Sequence, residues 1–220
     1  MAVRLRVGAP GRLLVVAPHP DDEAIGAYTL MARLRRRGVA VRVIVVTDGA
    51  ASHPNSCRWP RLRLVAERRR ESRRVLRRIG VAAGEVMFLG LPDGRLHTRA
   101  GAARRGLARA LGHGGGPASV AMPAASDDHP DHRTVAGCVA ALRRPGLRRL
   151  AYPVWPAGLR PAGVRCLFLT AQERLAKRHA VRSYRTQTGR ITDDPTGFAM
   201  TRRQIAAFTR PQEMFVEARR

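Results

Sequence analysis

The sequence predicts a single α/β domain built on a mostly parallel sheet, and three observations carry that reading. Runs of strand length stand at 12–18, apolar on both faces as parallel strands are, and at 39–47, rich in β-branched residues. Segments with helical spacing lie between such runs, so the order reads strand, helix, strand. Ionisable residues gather directly after strand ends, where open α/β sheets collect their sites. At 220 residues, with 45% apolar content, the chain suits one such domain with a full core.

The first strand, 12–18, ends in Pro18-His19-Pro20-Asp21-Asp22-Glu23. Four ionisable groups in five positions, fixed by two prolines, are costly beside a buried strand, and adjacent carboxylates repel unless a cation lies between them. A divalent metal at the strand's carboxyl end accounts for the set: His19 and one aspartate bind it, and the other aspartate stays free for proton transfer. A helix cap accounts for one aspartate only. A helix follows over 23–37, with Ile25, Leu30, Met31 and Leu34 inward and Gly38 as its stop. The second strand, 39–47, leads into an Asp48-Gly49 turn. A right-handed crossover brings Asp48 beside the first motif, as acceptor for a ligand histidine or as a plain turn residue. Residues 50–60 form a loop, and 61–79 an arginine-rich helix with Leu64, Val65, Val75, Leu76 and Ile79 on one face. Arg68 interrupts that stripe, either to bind a ligand or to pair with Glu71.

Glu85–Leu89 is a third strand, and Asp93 follows it in a Pro-Asp-Gly turn, either at the site or as turn chemistry alone. Residues 99–111 read as a helix, and His113-Gly-Gly-Gly-Pro117 as a flexible loop without phosphate-cradling spacing. A fourth strand, Ser119–Met122, precedes the second dense cluster, Asp127-Asp128-His129-Pro130-Asp131-His132-Arg133. His132 is expected to open a helix through Val135, Val139 and Leu142, and the pair His129 and His132 can add a nitrogen ligand to the first motif. Beyond it the sequence reads as a basic link (143–149), a short strand (151–155), another strand (165–170), a helix (172–185), a surface loop (188–197), a short helix (201–208) and a tail. Repeats and a domain boundary are absent from this pattern; residues 11–145 form the core of one domain spanning 1–220, and residues 146–220 a C-terminal cap walling the site.

Composition bounds the function classes. The formal charge of +25 points toward polyanions. However, Lys177 is the only lysine among 41 basic residues, which fits compositional drift better than an evolved phosphate surface. With 5% aromatics and no nucleic-acid motif, a nucleic-acid-binding protein is the rival reading rather than the favoured one. No apolar run reaches the roughly 18–20 residues of a membrane span, and the first residues lack a signal-peptide core. Cys57, Cys138 and Cys166 are scattered and odd in number, without C-x-x-C spacing; a reducing cytoplasm is the expected compartment and a thiolate metal site is not. A homo-oligomer is compatible with all of this.

Taken together, His-Pro-Asp-Asp-Glu at 19–23 and His-Pro-Asp-His at 129–132 resemble the LmbE-like, or PIG-L, family of zinc-dependent N-deacetylases. Thr47-Asp48-Gly49, Arg68-x-x-Glu71, Leu89-Gly-Leu-Pro-Asp93-Gly94, Tyr152-Pro-Val-Trp155 and Lys177-x-x-Ala180 through Gln187 extend the likeness over nearly the whole chain. The resemblance implies a Rossmann-like three-layer fold, with His19, Asp22 and His132 as Zn2+ ligands, Asp21 as general base, His129 and Asp131 assisting, and Arg68 and Asp93 at sugar-contacting positions. It implies hydrolysis of an N-acetyl group from an N-acetylglucosamine-type sugar of a small glycoside, such as a thiol precursor or an antibiotic intermediate. An amidase for a non-sugar N-acyl group would use the same metal site. Against the family pattern, Tyr28-Thr29 stands where many relatives carry glycines, Thr186 where serine is usual, and Asp127 where some carry a tyrosine.

Overall fold

The computed structural model describes residues 3–8, 11–112 and 118–218. Along the chain run β1 (Val3–Arg4), β2 (Arg12–Ala17), α1 (Asp22–Arg36), β3 (Ala40–Thr47), α2 (Arg61–Arg77), β4 (Val86–Leu91) and α3 (Ala100–Leu111). There follow β5 (Ala118–Pro123), α4 (Pro130–Ala140), β6 (Leu147–Tyr152), β7 (Arg165–Phe168), α5 (Ala171–Arg182), α6 (Arg202–Phe208) and β8 (Gln212–Ala218). The strands form one sheet in the order β1-β7-β8-β6-β5-β2-β3-β4. Strands β4, β3, β2, β5 and β6 are parallel, while β8 runs antiparallel between β6 and β7.

Because successive strand residues face opposite ways, β2 feeds two cores. Leu13 and Val15 join Leu30, Met31 and Leu34 of α1, whereas Leu14 and Val16 join Leu107 of α3 and Val135 and Val139 of α4. Val15 and Val16 are fully enclosed, each contributing about 1.5–3 kcal/mol by burial. The first strand of the core, β2, has β3 on one side and β5 on the other. The strand order therefore reverses between β2 and β5, and the loops leaving both carboxyl ends diverge around a crevice. Those loops carry residues 18–21 and 124–129.

Several boundaries differ from the sequence reading. Helix α4 starts at Pro130, not His132; His129 is its cap, and its Nδ1 accepts the Asp131 N–H. The basic link at 143–149 belongs in part to β6, whose Leu147 and Leu150 are buried while Arg148 pairs with Glu217 across the sheet. The tail is a strand, β8, with Phe215 fully buried. The His113–Pro117 loop lies outside the described residues. Among the described residues no helix is long and apolar enough to cross a membrane.

Helix α1 is broken at Ala27 (φ −142°, ψ 19°). The Tyr152 ring presses on Gly26 so closely that a Cβ there would sit 2.3 Å from a ring carbon. The backbone groups released by the break are recaptured. Lys177 Nζ donates to the Ile25 carbonyl at 2.7 Å and to Glu213 at 2.9 Å. Glu213 accepts the Thr29 and Leu30 N–H groups at 2.7 and 2.9 Å. The break sets the angle of the first turn of α1, which carries Asp22.

Candidate metal centre

The two loops meet at three atoms. His19 Nδ1 lies 3.2 Å from Asp22 Oδ2 and 3.2 Å from His132 Nε2, and His132 Nε2 lies 3.2 Å from the same Asp22 oxygen. Two ring nitrogens this close repel unless a proton or a cation lies between them. Ligands at zinc distances in a tetrahedron are separated by about 3.4 Å, so this triangle of two nitrogens and one oxygen fits a zinc-sized ion. His129 is also near, its ring 4.7 Å from that of His19. Its Nδ1 is engaged as the cap of α4, and His19, His129 and His132 each offer a ring nitrogen within 4.8 Å of the others, a second set that could hold an ion.

Each imidazole of the triangle faces a carboxylate with its far nitrogen, an arrangement that suits a metal-bound histidine. His19 Nε2 lies 3.0 Å from Asp93 and 3.3 Å from Asp131. Asp93 also accepts the Ala51 N–H, and Asp131 accepts those of Gly94 and Leu96, at 2.7–3.1 Å. His132 Nδ1 is 3.1 Å from Asp127, which also receives the N–H groups of His129, Val154 and Trp155. Burial opposes charge on His132, but Asp22 and Asp127 outweigh it and lift the imidazole to about 9. Burial likewise works against an ionised Asp22, yet His132 and His19 hold its carboxyl well below the usual range.

Asp21 faces the same space. It caps α1 with a positive φ of 139°, unusual for a residue with a side chain. Burial, with Asp22 and Glu23 nearby, raises its carboxyl well above the ordinary value, against the pull of Arg68 and His19. Arg68 donates to the carbonyls of Gly49 and Pro20 at 2.7 and 2.8 Å and lies 3.5 Å from Asp21 Oδ2. Gly49 makes that approach possible: its φ is +71°, and a Cβ there would meet the guanidinium at 2.6 Å. His129 is pushed below its ordinary value by burial and by the neighbouring imidazoles. With Nδ1 accepting a hydrogen bond, its neutral ring carries the proton on Nε2.

His19, Asp21, Asp22, Arg68, Asp93 and His129 border a cavity of about 330 Å³. The site residues expected from the sequence converge here, with one exception. Asp48 does not serve a ligand histidine: it pairs with Arg61 and accepts the Ala50 N–H, and Asp127 stands behind His132 instead. The loop after β3 turns Asp48 toward the start of α2, whereas Asp127 leaves β5 within reach of the α4 histidine. The alternative Arg68–Glu71 pair is replaced too, because Glu71 accepts from Thr186 N and Oγ1 at 3.0 and 2.6 Å. Trp155, Gln187 and Phe198 of the C-terminal segment, and Ser52, complete the cavity wall. Sequence reasoning missed Asp127 in this role, although it lies inside the second cluster; nothing in the local pattern singled out Phe198.

The PIG-L family pattern, described as GlcNAc-PI de-N-acetylase, matches residues 14–142, more than half of the chain. The chain belongs to the PIG-L family. A 2'-N-acetylparomamine deacetylase of Streptomyces fradiae is 34% identical over 152 residues, covering 62% of this chain and 53% of that protein. The PIG-L chain described here thus spans about half the length of this curated relative. Two solved structures share its fold. The N,N'-diacetylchitobiose deacetylase of Pyrococcus horikoshii, in complex with an inhibitor, is 21% identical with a TM-score of 0.65, covering 95% of this chain and 84% of that one. A zinc-inhibited form of a teicoplanin deacetylase is 20% identical with a TM-score of 0.64, covering 80% and 85%.

Proposed function

We propose that the chain is a metal-dependent hydrolase that removes the N-acetyl group from an N-acetylglucosamine-type sugar of a small glycoside, releasing acetate. The observation that carries this is the triangle of His19, Asp22 and His132 with the spare carboxylate of Asp21 beside it. Two nitrogens and one oxygen with room for a further ligand match the donor set of catalytic zinc. Such a cation supplies Lewis acidity, polarising an amide oxygen and making water nucleophilic near neutral pH. The names of the relatives, deacetylases of paromamine, chitobiose and teicoplanin substrates, support the choice of an acetylated amino sugar in secondary metabolism. Free cysteines, two of them buried, fit a cytoplasmic enzyme.

The protein's own groups divide the proton work. Asp21, whose carboxyl borders the cavity beside the triangle, takes the proton of the attacking water. His129 Nε2–H donates to the oxygen on which charge develops, an interaction worth about 2.7–4 kcal/mol of barrier. The amine departs with the proton that Asp21 took from the water, while the neutral His129 ring keeps its Nε2–H as a hydrogen-bond donor. Arg68 holds the Asp21 turn, and Asp93 and Asp131 hold the His19 ring. Arg68 and Asp93 also border the cavity where the sugar would enter.

The test is acetate release from a panel of N-acetylated glycosides with and without a chelator. Turnover should vanish with chelator and return with zinc. Asp21→Ala should keep bound metal and lose most turnover, while His132→Ala should lose the metal. A near-normal rate in metal-loaded Asp21→Ala would refute the base assignment.

A further inference from the structure

We propose that Glu23, backed by Tyr184, is a positioning residue for the Asp21 carboxylate; this rests on Asp21 being the base. Among the described residues Asp21 alone, glycines aside, has positive φ, at 139°. A side chain keeps such a conformation only where its surroundings enforce it. The Asp21 carbonyl is engaged by the N–H groups of Ala24 and Ile25 at 2.9 and 3.0 Å, and Arg68 ties down the preceding Pro20 carbonyl. The remaining backbone handle is the Asp21 N–H, which donates to Glu23 Oε2 at 2.9 Å. Glu23 Oε1 in turn accepts the Tyr184 hydroxyl at 2.7 Å. Glu23 and Tyr184 are both 0% exposed, and Tyr184 packs with Ala24, Tyr28 and Val75.

The chain of contacts therefore runs from the segment after α5, through Glu23, to the peptide whose rotation aims the base. Glu23 takes no part in the metal triangle and does not border the cavity. It acts on the reaction only through Asp21. A carboxylate suits this place because it offers two acceptors to two donors and requires none in return. Without it the Asp21 peptide is free to relax from its unfavourable φ, and the carboxylate swings with it. A shift of about 1 Å at a reacting group can cost about 100-fold in rate.

The experiment compares Glu23→Met, which keeps size and removes both acceptors, with Glu23→Gln, which can still accept from Asp21. Metal content, kcat and KM for acetate release are measured on each, and the cycle is closed with Asp21→Ala and Asp21→Ala/Glu23→Met. Glu23→Met should retain metal and KM and lose about 100-fold in kcat, and Glu23→Gln should recover most of it. The double variant should be no slower than Asp21→Ala, because one residue works through the other. If Glu23→Met does not fold, Glu23→Met/Tyr184→Phe, with both polar partners replaced, takes its place in the cycle. A near-normal kcat in the Met variant, or losses that multiply in the double variant, overturns the positioning role. Normal turnover in Asp21→Ala overturns the base assignment and this role together, whereas a dead Asp21→Ala beside a normal Glu23→Met overturns only the latter.

Discussion

Asp127 shows how much a single side chain can gather. It accepts from three backbone N–H groups of two loops and faces His132 Nδ1, while its own side chain is fully buried. Asp127→Ala should therefore weaken zinc binding by about 10–100-fold, read by competition with a chromophoric chelator, even though it never touches the ion. The convergence of His19, Asp22 and His132 was legible from sequence, because proline-locked clusters of His and Asp directly after strand ends have few other uses. Asp127 and Asp48 were not, since which carboxylate backs which imidazole depends on where two separate loops land. Only the fold resolves that.

At the scale of elements, the parallel strands β2, β3 and β5 were legible because they are largely buried and mostly apolar, with Arg42 in β3 and Ser119 in β5 as the polar interruptions. Strands β6 and β8 were obscured by Arg148, Arg149, Glu213 and Glu217, charges that find partners within or beside the sheet. The break in α1 was equally hidden, since it is made by Tyr152, Lys177 and Glu213 from distant segments. Lys177→Met leaves the Glu213 charge buried without its cation and should cost about 3–5 kcal/mol in urea unfolding, with Lys177→Met/Glu213→Gln recovering part of it. On the outer side of α1, Arg33 and Arg36 clamp Glu173 of α5 at 2.6–3.0 Å. The Arg33 bonds, against some burial, lower the Glu173 carboxyl from 4.5 to about 2. Its stabilising contribution is thus complete above pH 4.5 and lost as pH falls toward 2. Glu173→Gln should lower the melting temperature at pH 7 and bring it close to the parent's near pH 2.

The whole molecule sets its charges against one another. The surface is strongly basic, with a formal charge of +25, yet Asp21, Asp22, Asp93, Asp127 and Asp131 concentrate acid around one crevice. The two apolar cores lie on either side of the sheet, and one of them reaches the crevice through Ile25, Trp155 and Phe198. Chelator-treated protein should keep its far-ultraviolet circular dichroism while losing turnover, since neither core contains a ligand. The imidazoles of His19 and His132 are 113 positions apart in the chain and follow strands on opposite sides of the reversal in strand order. An ion can be gripped there only after both halves of the sheet have docked. The triangle forms only once β2 and β5 lie side by side, so cobalt offered to a refolding chain should take on its bound colour no earlier than the pairing of those two strands.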